Sequence, residues 1–432
     1  MTLRTAWIEY RDAVRAFSPP ARLFLLATLL TWASHGVAQV LFNLFLVEAG
    51  YREAFVGRAI SLTGLGLALT ALPAGMLAER WGHRRTLILG AVIEGIGMLA
   101  RALAPTPGII AAASFASGSG QAMLAIAAAP FLSEHSTTRE RTHLFSTFFA
   151  IELVAGVFGS FAGGALPKLL QSLPQPLAPD LLHAYRWTLC FGAGLAVCAA
   201  FPIARIGAAR GAGHSSEVYR PARGDTRLLA QIAINFFLIG AGAGLVIPFM
   251  NLYFAQRFQC SSAQIGSFFS LAQLLTAVAA MSAPVLAGRF GRLRTATVLQ
   301  LMSLPFLVTM GAESRLDIAV AAFCMRATLM QASSPLLVSF VMETLPAGLR
   351  ARSTSINNLV WNIGWAVSAT LAGWIIERFG YAVPFYITAA LYAVATVYFY
   401  LAFRRRGEST TPLVTGSPSQ DPGTRVDGPF TE

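Results

Sequence analysis

The sequence predicts an all-α integral membrane protein, with twelve transmembrane helices in two pseudo-symmetric six-helix bundles. Three observations lead there. First, 55% of the 432 residues are hydrophobic and only 12% are charged, against about 25% charged in a soluble domain. A soluble chain must cover its surface with polar groups however large its core, so lipid replaces water over most of this one. Second, apolar runs such as 109–132 and 382–403 exceed the roughly 20 residues that cross a bilayer's hydrocarbon. Third, the second half of the chain repeats the first.

Charged and Pro/Gly punctuation cuts the chain into twelve apolar segments, near 22–48, 55–78, 86–104, 108–133, 143–167, 185–204, 228–256, 263–288, 295–312, 317–342, 353–377 and 382–403. They are numbered spans 1 to 12. Five regions follow: a cytoplasmic N-terminal segment (1–21), a first bundle (22–204), a linker (205–227), a second bundle (228–403) and a tail (404–432). The tail, rich in Ser, Thr, Pro and Gly, is expected to be disordered and cytoplasmic. Residues 1–20 are polar, and the apolar run after them is too long for a signal-peptide core. Span 1 is therefore expected to stay in the membrane. Trp7, Tyr10, Val14 and Phe17 recur at helical spacing beside Arg11 and Arg15. That pattern fits a short helix lying on the membrane surface, and it fits a frayed tail equally.

The net charge of +12 would point to nucleic acid in a soluble protein. Here the arginines sit in short loops between apolar runs, so no nucleic-acid partner is expected. An even number of spans puts both termini on one side. The loops of that side carry Arg84 and Arg85, Arg139 and Arg141, the arginines of the linker, and Arg404–Arg406. Such a bias makes the side cytoplasmic, and the plasma (inner) membrane is the expected location. The four cysteines, Cys190, Cys198, Cys260 and Cys324, show neither metal-ligand spacing nor a disulfide framework. No metal or cofactor is expected.

The repeat fixes the architecture. GMLAERWGHRR (75–85) stands between spans 2 and 3, and PVLAGRFGRLR (284–294) between spans 8 and 9. A shift of 209 positions lays Leu77 on Leu286, Arg80 on Arg289, Gly82 on Gly291 and Arg85 on Arg294. The same shift lays Gly57 on Gly266, Glu134 on Glu343 and Arg141 on Arg350, while Asn43 and Asn251 differ by 208. The halves are thus parallel copies about an axis along the membrane normal. Gly75 and Gly82 are expected to allow close helix approach and a tight turn. Glu79, Arg80, Arg84 and Arg85 stand at the cytoplasmic mouth, where charges can pair across the halves. Glu134, Arg141, Glu343 and Arg350 are the expected partners.

Residues 75–85 resemble the loop signature of the major facilitator superfamily, G-x-L-A-[DE]-R-x-G-x-[RK]-[RK], and the likeness extends over spans 1 to 12. The resemblance implies that family's fold, with spans 1, 4, 7 and 10 around a central cavity, and a mouth latch built from these charges. Arg289, Gly291 and Arg294 form the second copy, where Gly288 replaces Glu79. Membership would also imply a small-molecule substrate and, as read here, a monomer.

Ionisable groups within the hydrocarbon cost at least a few kcal/mol each and are functional candidates by default. Arg326 lies about nine residues into span 10, roughly 13 Å deep. It could meet an anionic substrate group or a coupling carboxylate, or belong to a fixed ion pair. Its counterpart is Ser117, in a stripe with Ser114 and Gln121 on span 4. Glu152 shares a face of span 5 with Gly156, Gly159 and Gly163, glycines suited to close packing. They imperfectly resemble the glycine motif of the family's antiporters, lacking its proline. Glu152 could couple protons or pair structurally. Glu94 shares a face with Gly90, Gly97 and Arg101 on span 3, which the resemblance makes peripheral, so its expected role is structural. His35, Gln39 and Asn43 recur every four residues on span 1, and Gln231 and Asn235 repeat the pattern on span 7. His35 titrates near neutrality and could carry protons or simply bond a neighbouring helix. Asn358, Trp361 and Trp365 form a polar-aromatic face on span 11.

These features point to a secondary transporter working by alternating access. The buried carboxylates favour proton coupling, with efflux of drugs or amphipathic metabolites as the main expectation and uptake of an anionic nutrient as the alternative. No Gly-x4-Gly-Lys-Ser/Thr nucleotide loop occurs, and the buried ionisable groups are scattered over different spans. A pump and an enzyme are therefore disfavoured. A transporter-like sensor is the alternative of another class.

Overall fold

The structure, a computed structural model, describes residues 17–104, 106–174, 177–207 and 223–408. Most of the stretch expected to lie on the membrane surface, most of the linker and the tail beyond 408 fall outside the described residues; Phe17, the last residue of that stretch, is buried in a core with Phe24 and Phe131. Twelve long helices carry the described chain: Pro19–Glu48, Glu53–Trp81, His83–Leu103, Pro107–Glu134, Thr138–Gln171, Leu181–Cys198, Arg223–Val246, Ser262–Phe290, Arg292–Ala312, Leu316–Thr344, Ala347–Phe379 and Ala382–Glu408. They are spans 1 to 12 in order, span 6 being prolonged by the short helix Ala200–Ala204. Eleven are long and apolar enough to cross a membrane by composition. The other, span 10, is as long but is diluted by Arg326, Gln331, Ser333 and Ser334.

Local chemistry sets the ends. Pro19 and Pro20 occupy the first turn of span 1 behind the Ser18 cap, where their missing N–H groups are not needed. Spans 5 and 8 open with capping boxes, Thr137 with Glu140 and Ser261 with Gln264, each satisfying two orphan donors. Gly82 and Gly291 end spans 2 and 8 with φ of 89° and 82°, a conformation that a side chain would strain. Behind each glycine, a threonine hydroxyl donates back to its carbonyl: Thr86 to Gly82 at 3.2 Å and Thr295 to Gly291 at 2.8 Å.

Span 7 is not the unbroken helix read from 228–256. After Val246 it passes through a 3₁₀ turn at Ile247–Phe249, where Pro248 sits, and a π turn at Tyr253–Arg257. A π turn is one residue of insertion into a helix. It accounts for the repeat slipping from 208 positions at Asn43 and Asn251 to 209 at Gly57 and Gly266.

The halves meet through backbone. Gly57 of span 2 lies against span 11, where a Cβ would stand 3.3 Å from the Gly373 Cα; Gly266 of span 8 lies against span 5, at 2.9 Å from the Gly164 Cα. The 209-residue shift exchanges the two pairs. Ser61 donates to the Ala366 carbonyl and Ser270 to that of Val157 at 2.9 Å, again exchanged by the repeat. On the axis, the Asn43 amide donates to Asn251 Oδ1 at 3.1 Å, and Asn251 returns a bond to the Val40 carbonyl at 2.9 Å. Around these contacts one apolar core runs through both halves, from Val37–Leu46 to Leu245–Phe254. Toward the arginine-rich end it divides. Phe24, Phe131 and Ile203 belong to a core of the first half, while Ile232, Phe340 and Phe403 belong to a core of the second. The bundles are joined at one end and splayed at the other.

Candidate functional site

Two adjoining cavities of about 480 and 620 Å³ lie between the halves and share Trp32, Gln39, Ile247 and Trp361. The smaller is walled mainly by the second half, with Arg326 of span 10 in it. Arg326 is only 6% exposed. Its Nη2 donates to the Tyr392 hydroxyl at 3.1 Å, and the guanidinium lies 5.8 Å from the centre of that ring. Its Nε has no partner, and neither has Asn235 Oδ1 on span 7. Gln300, also in this wall, is held by the Thr396 hydroxyl at 3.0 Å. Glu152 enters from the first half and takes a hydrogen bond from Trp32.

The larger cavity belongs mainly to the first half. His35 Nε2 contacts Glu94 Oε1, with Trp32 edge-on at 5.4 Å. Arg101, one face of span 3 along from Glu94, places its guanidinium 4.3 Å over the Phe42 ring, a favourable cation–π position. Glu94, Arg101 and Glu152 all act electrostatically on His35. Glu94 is 2% exposed and its Oε2 lacks a partner. Span 3 reaches this cavity because span 4 is thin where the two cross. A Cβ on Gly97 would stand 2.7 Å from the Ser117 nitrogen, and one on Gly90 would stand 2.9 Å from the Gly120 carbonyl. With backbones in contact, a carboxylate on span 3 passes the neighbouring helix.

Nearly the whole chain, residues 24–219 and 232–424, matches the model of the Major Facilitator Superfamily. The chain belongs to the major facilitator superfamily. Among curated superfamily members it is similar to the niacin transporter NiaP of Acinetobacter baylyi, with 26% identity over 39% of this chain and 38% of that one. It is also similar to the cephamycin export protein CmcT of Amycolatopsis lactamdurans, with 29% identity over 28% and 26%. The chain spans less than half the length of the curated relatives it matches. Among solved structures, a bacterial homologue of the human lysosomal transporter Spinster, in an inward-facing and occupied conformation, superimposes with a TM-score of 0.73. That pair shares 15% identity over 91% of this chain and 97% of that one.

Within this superfamily fold, the expected site residues separate into groups. His35, Gln39, Asn43, Ser117 and Gln121 line the larger cavity, and Gln39, Glu152, Asn235, Arg326 and Trp361 the smaller. Asn358 does neither. It is exposed, and its carbonyl accepts from Asn362 at 2.8 Å. Asn362, one turn on, lines the larger cavity, while Asn357 is buried with its Oδ1 unpartnered. Glu94 and Arg101, read as structural on a peripheral helix, stand in the cavity wall. Their seven-residue spacing was the available signal; the thinness of span 4 was what made them reach.

The signature loop holds its charges differently from expectation. Glu134 bonds His83 at 2.8 Å and Glu343 contacts Arg292, each within its own half. Arg84 donates to the carbonyls of Ile203 and Ala204, Arg141 to those of Ser133 and Ser136, and Arg350 to that of Leu345. The halves are apart at this end, so these charges find partners nearby. Glu79, Arg80, Arg85, Arg289 and Arg294 are exposed, with the Arg289 guanidinium 5.7 Å from the Phe290 ring. Gly75 does not serve close packing, since nothing lies within 4 Å of where its Cβ would be; Gly82 and Gly291 make the turns.

Proposed function

We propose that the chain is a secondary transporter that works by alternating access, couples to protons and exports amphipathic solutes. One observation carries the reading: His35, Glu94 and Glu152, three protonatable groups inside the hydrocarbon, border the same pair of cavities as an aromatic wall of Trp32, Phe149, Trp361 and Trp365. Buried ionisable groups facing a cavity mark ion and substrate pathways. The contacts described above join the halves at one end, and rocking about them would carry the cavities from one side to the other. With the arginine loops cytoplasmic, this conformation opens to the cytosol. Glu152 is the coupling carboxylate of this reading, and the signature-loop charges re-pair across the halves in the opposite state. The similarity to a cephamycin export protein supports the export direction.

The test is flux in proteoliposomes under an imposed pH gradient, with a fluorescent amphiphile as solute and a trapped pH dye. Expected are solute movement against proton movement, its loss with a protonophore, and flux that ignores the gradient in Glu152→Gln. Flux of equal size with and without the gradient in the intact protein would overturn proton coupling. Uptake of an anionic nutrient is the second reading, favoured by the buried Arg326 and by the similarity to a niacin transporter; it predicts solute moving with protons. A sensor would bind and give no flux.

A further inference from the structure

The two cavities differ in how their buried arginines are balanced. Neither has a carboxylate oxygen of the described residues within salt-bridge distance, but Arg101 has the Glu94 carboxylate acting on it from further off and lies over the Phe42 ring. Arg326 has the neutral Tyr392 hydroxyl as its one polar contact among the described residues. A buried cation without a counter-charge is strongly unfavourable. A guanidinium presents its donors as a planar fork that suits a carboxylate, and Arg326 stands in the cavity wall with only Nη2 engaged.

We propose that Arg326 is the receptor for the carboxylate of an organic monoanion, with the apolar body of the same molecule against Phe269, Phe323 and Trp361. The inference rests on the smaller cavity being the substrate site of the proposed transporter. The carboxylate takes the part of the fork that Tyr392 leaves free, while Tyr392 holds Nη2 and fixes the plane. A single charge is all the site takes. Among the described residues Arg326 is the one cation in the wall of this cavity, and Glu152 stands in the same wall, which disfavours dianions such as phosphate esters. About 480 Å³ lies within the usual range for small-ligand pockets and admits a one- or two-ring acid.

The experiment is a binding measurement on the purified full chain in detergent, using 1-naphthoate, 4-phenylbutyrate and decanoate, each beside its primary amide. Acid and amide share shape and differ in charge. In the wild type, each acid that binds is expected to do so at least tenfold more tightly than its amide. Arg326→Gln should remove that preference, and Tyr392→Phe should reduce it severalfold. A wild type that binds no acid more tightly than its amide overturns the proposal, as does Arg326→Gln that keeps the preference. The wild-type comparison stands even where a variant fails to fold. Acid-selective binding without flux in proteoliposomes would defeat the transport reading alone, whereas proton-driven flux of amphiphiles without acid selectivity would defeat this inference alone.

Discussion

Ser61 of span 2 donates to the Ala366 carbonyl, and Ser270, its counterpart 209 residues on, donates to that of Val157, the counterpart of Ala366. No such correspondence relates Arg326 to Ser117, or Glu94 to Ser303. The first pair lies where the halves touch, and the others lie beside the cavities. Contact surfaces about a pseudo-two-fold must match themselves under exchange, so the repeat persists there down to single hydrogen bonds. A cavity is under no such constraint. One half encloses an arginine with its own carboxylate and imidazole, and the other an arginine with a phenol.

The sharpest way to break this comparison is to unbalance the first half. Glu94→Ala removes the partner of His35 and the carboxylate that acts on Arg101, and should lower stability by about 3–5 kcal/mol. Ser303→Ala at the matching position of span 9 should change it by about 1 kcal/mol or less. Thermal or denaturant unfolding in detergent measures both, and similar losses would show that Glu94 does not compensate the arginine.

The contact surface offers the next test. Gly57→Leu and Gly266→Leu both insert a side chain between backbones. Each should destabilise by roughly 1–3 kcal/mol and abolish flux. If only one of the two variants loses flux, the pivots are not equivalent.

For the second half the expected stability change is smaller. Arg326→Met replaces an unbalanced cation with an apolar chain of similar length and should be neutral or mildly stabilising, while selective acid binding disappears. A loss as large as that of Glu94→Ala would reveal a structural counter-ion for Arg326. The smallest effect concerns a place where the repeat fails locally. Ser261 caps span 8 through a capping box, whereas Arg52, its counterpart before span 2, makes no side-chain cap. Ser261→Ala should cost about 1 kcal/mol, and Arg52→Ala should leave helix capping untouched.

What the sequence disclosed and what it withheld divide along the same line. Helix number, the repeat and the glycine turns were legible because each depends on local chemistry: apolar length, periodicity, and a backbone that only glycine adopts easily. The cavity faces of spans 1, 4, 7 and 10 were legible only in part: Gln39, Ser117, Asn235 and Arg326 line the cavities, and Ser114 and Gln231 do not. Glu94 and Arg101 were misplaced because their exposure to the cavity depends on a second helix, where Ser117 and Gly120 remove the bulk that would have screened them. Asn358 was misplaced for Asn362, one turn further along nearly the same face, because nothing in the local sequence fixes how far along span 11 the cavity extends. The pairing of Glu134 and Glu343 depends on how far apart the halves stand, a property of the conformation and not of the chain. The break in span 7 had left a trace in the one-residue slip of the repeat.

The division of the apolar core at the arginine-rich end has one further consequence. A space between splayed bundles is filled by solvent, and bringing the bundles together expels it, so water is itself a reactant in the conformational step. Polymers too large to enter that space would draw water from it and bias the protein toward the state in which this end is closed. Under the proposed alternating access, the resting population of the two states should therefore depend on osmotic pressure on one face of the membrane, even with no substrate present.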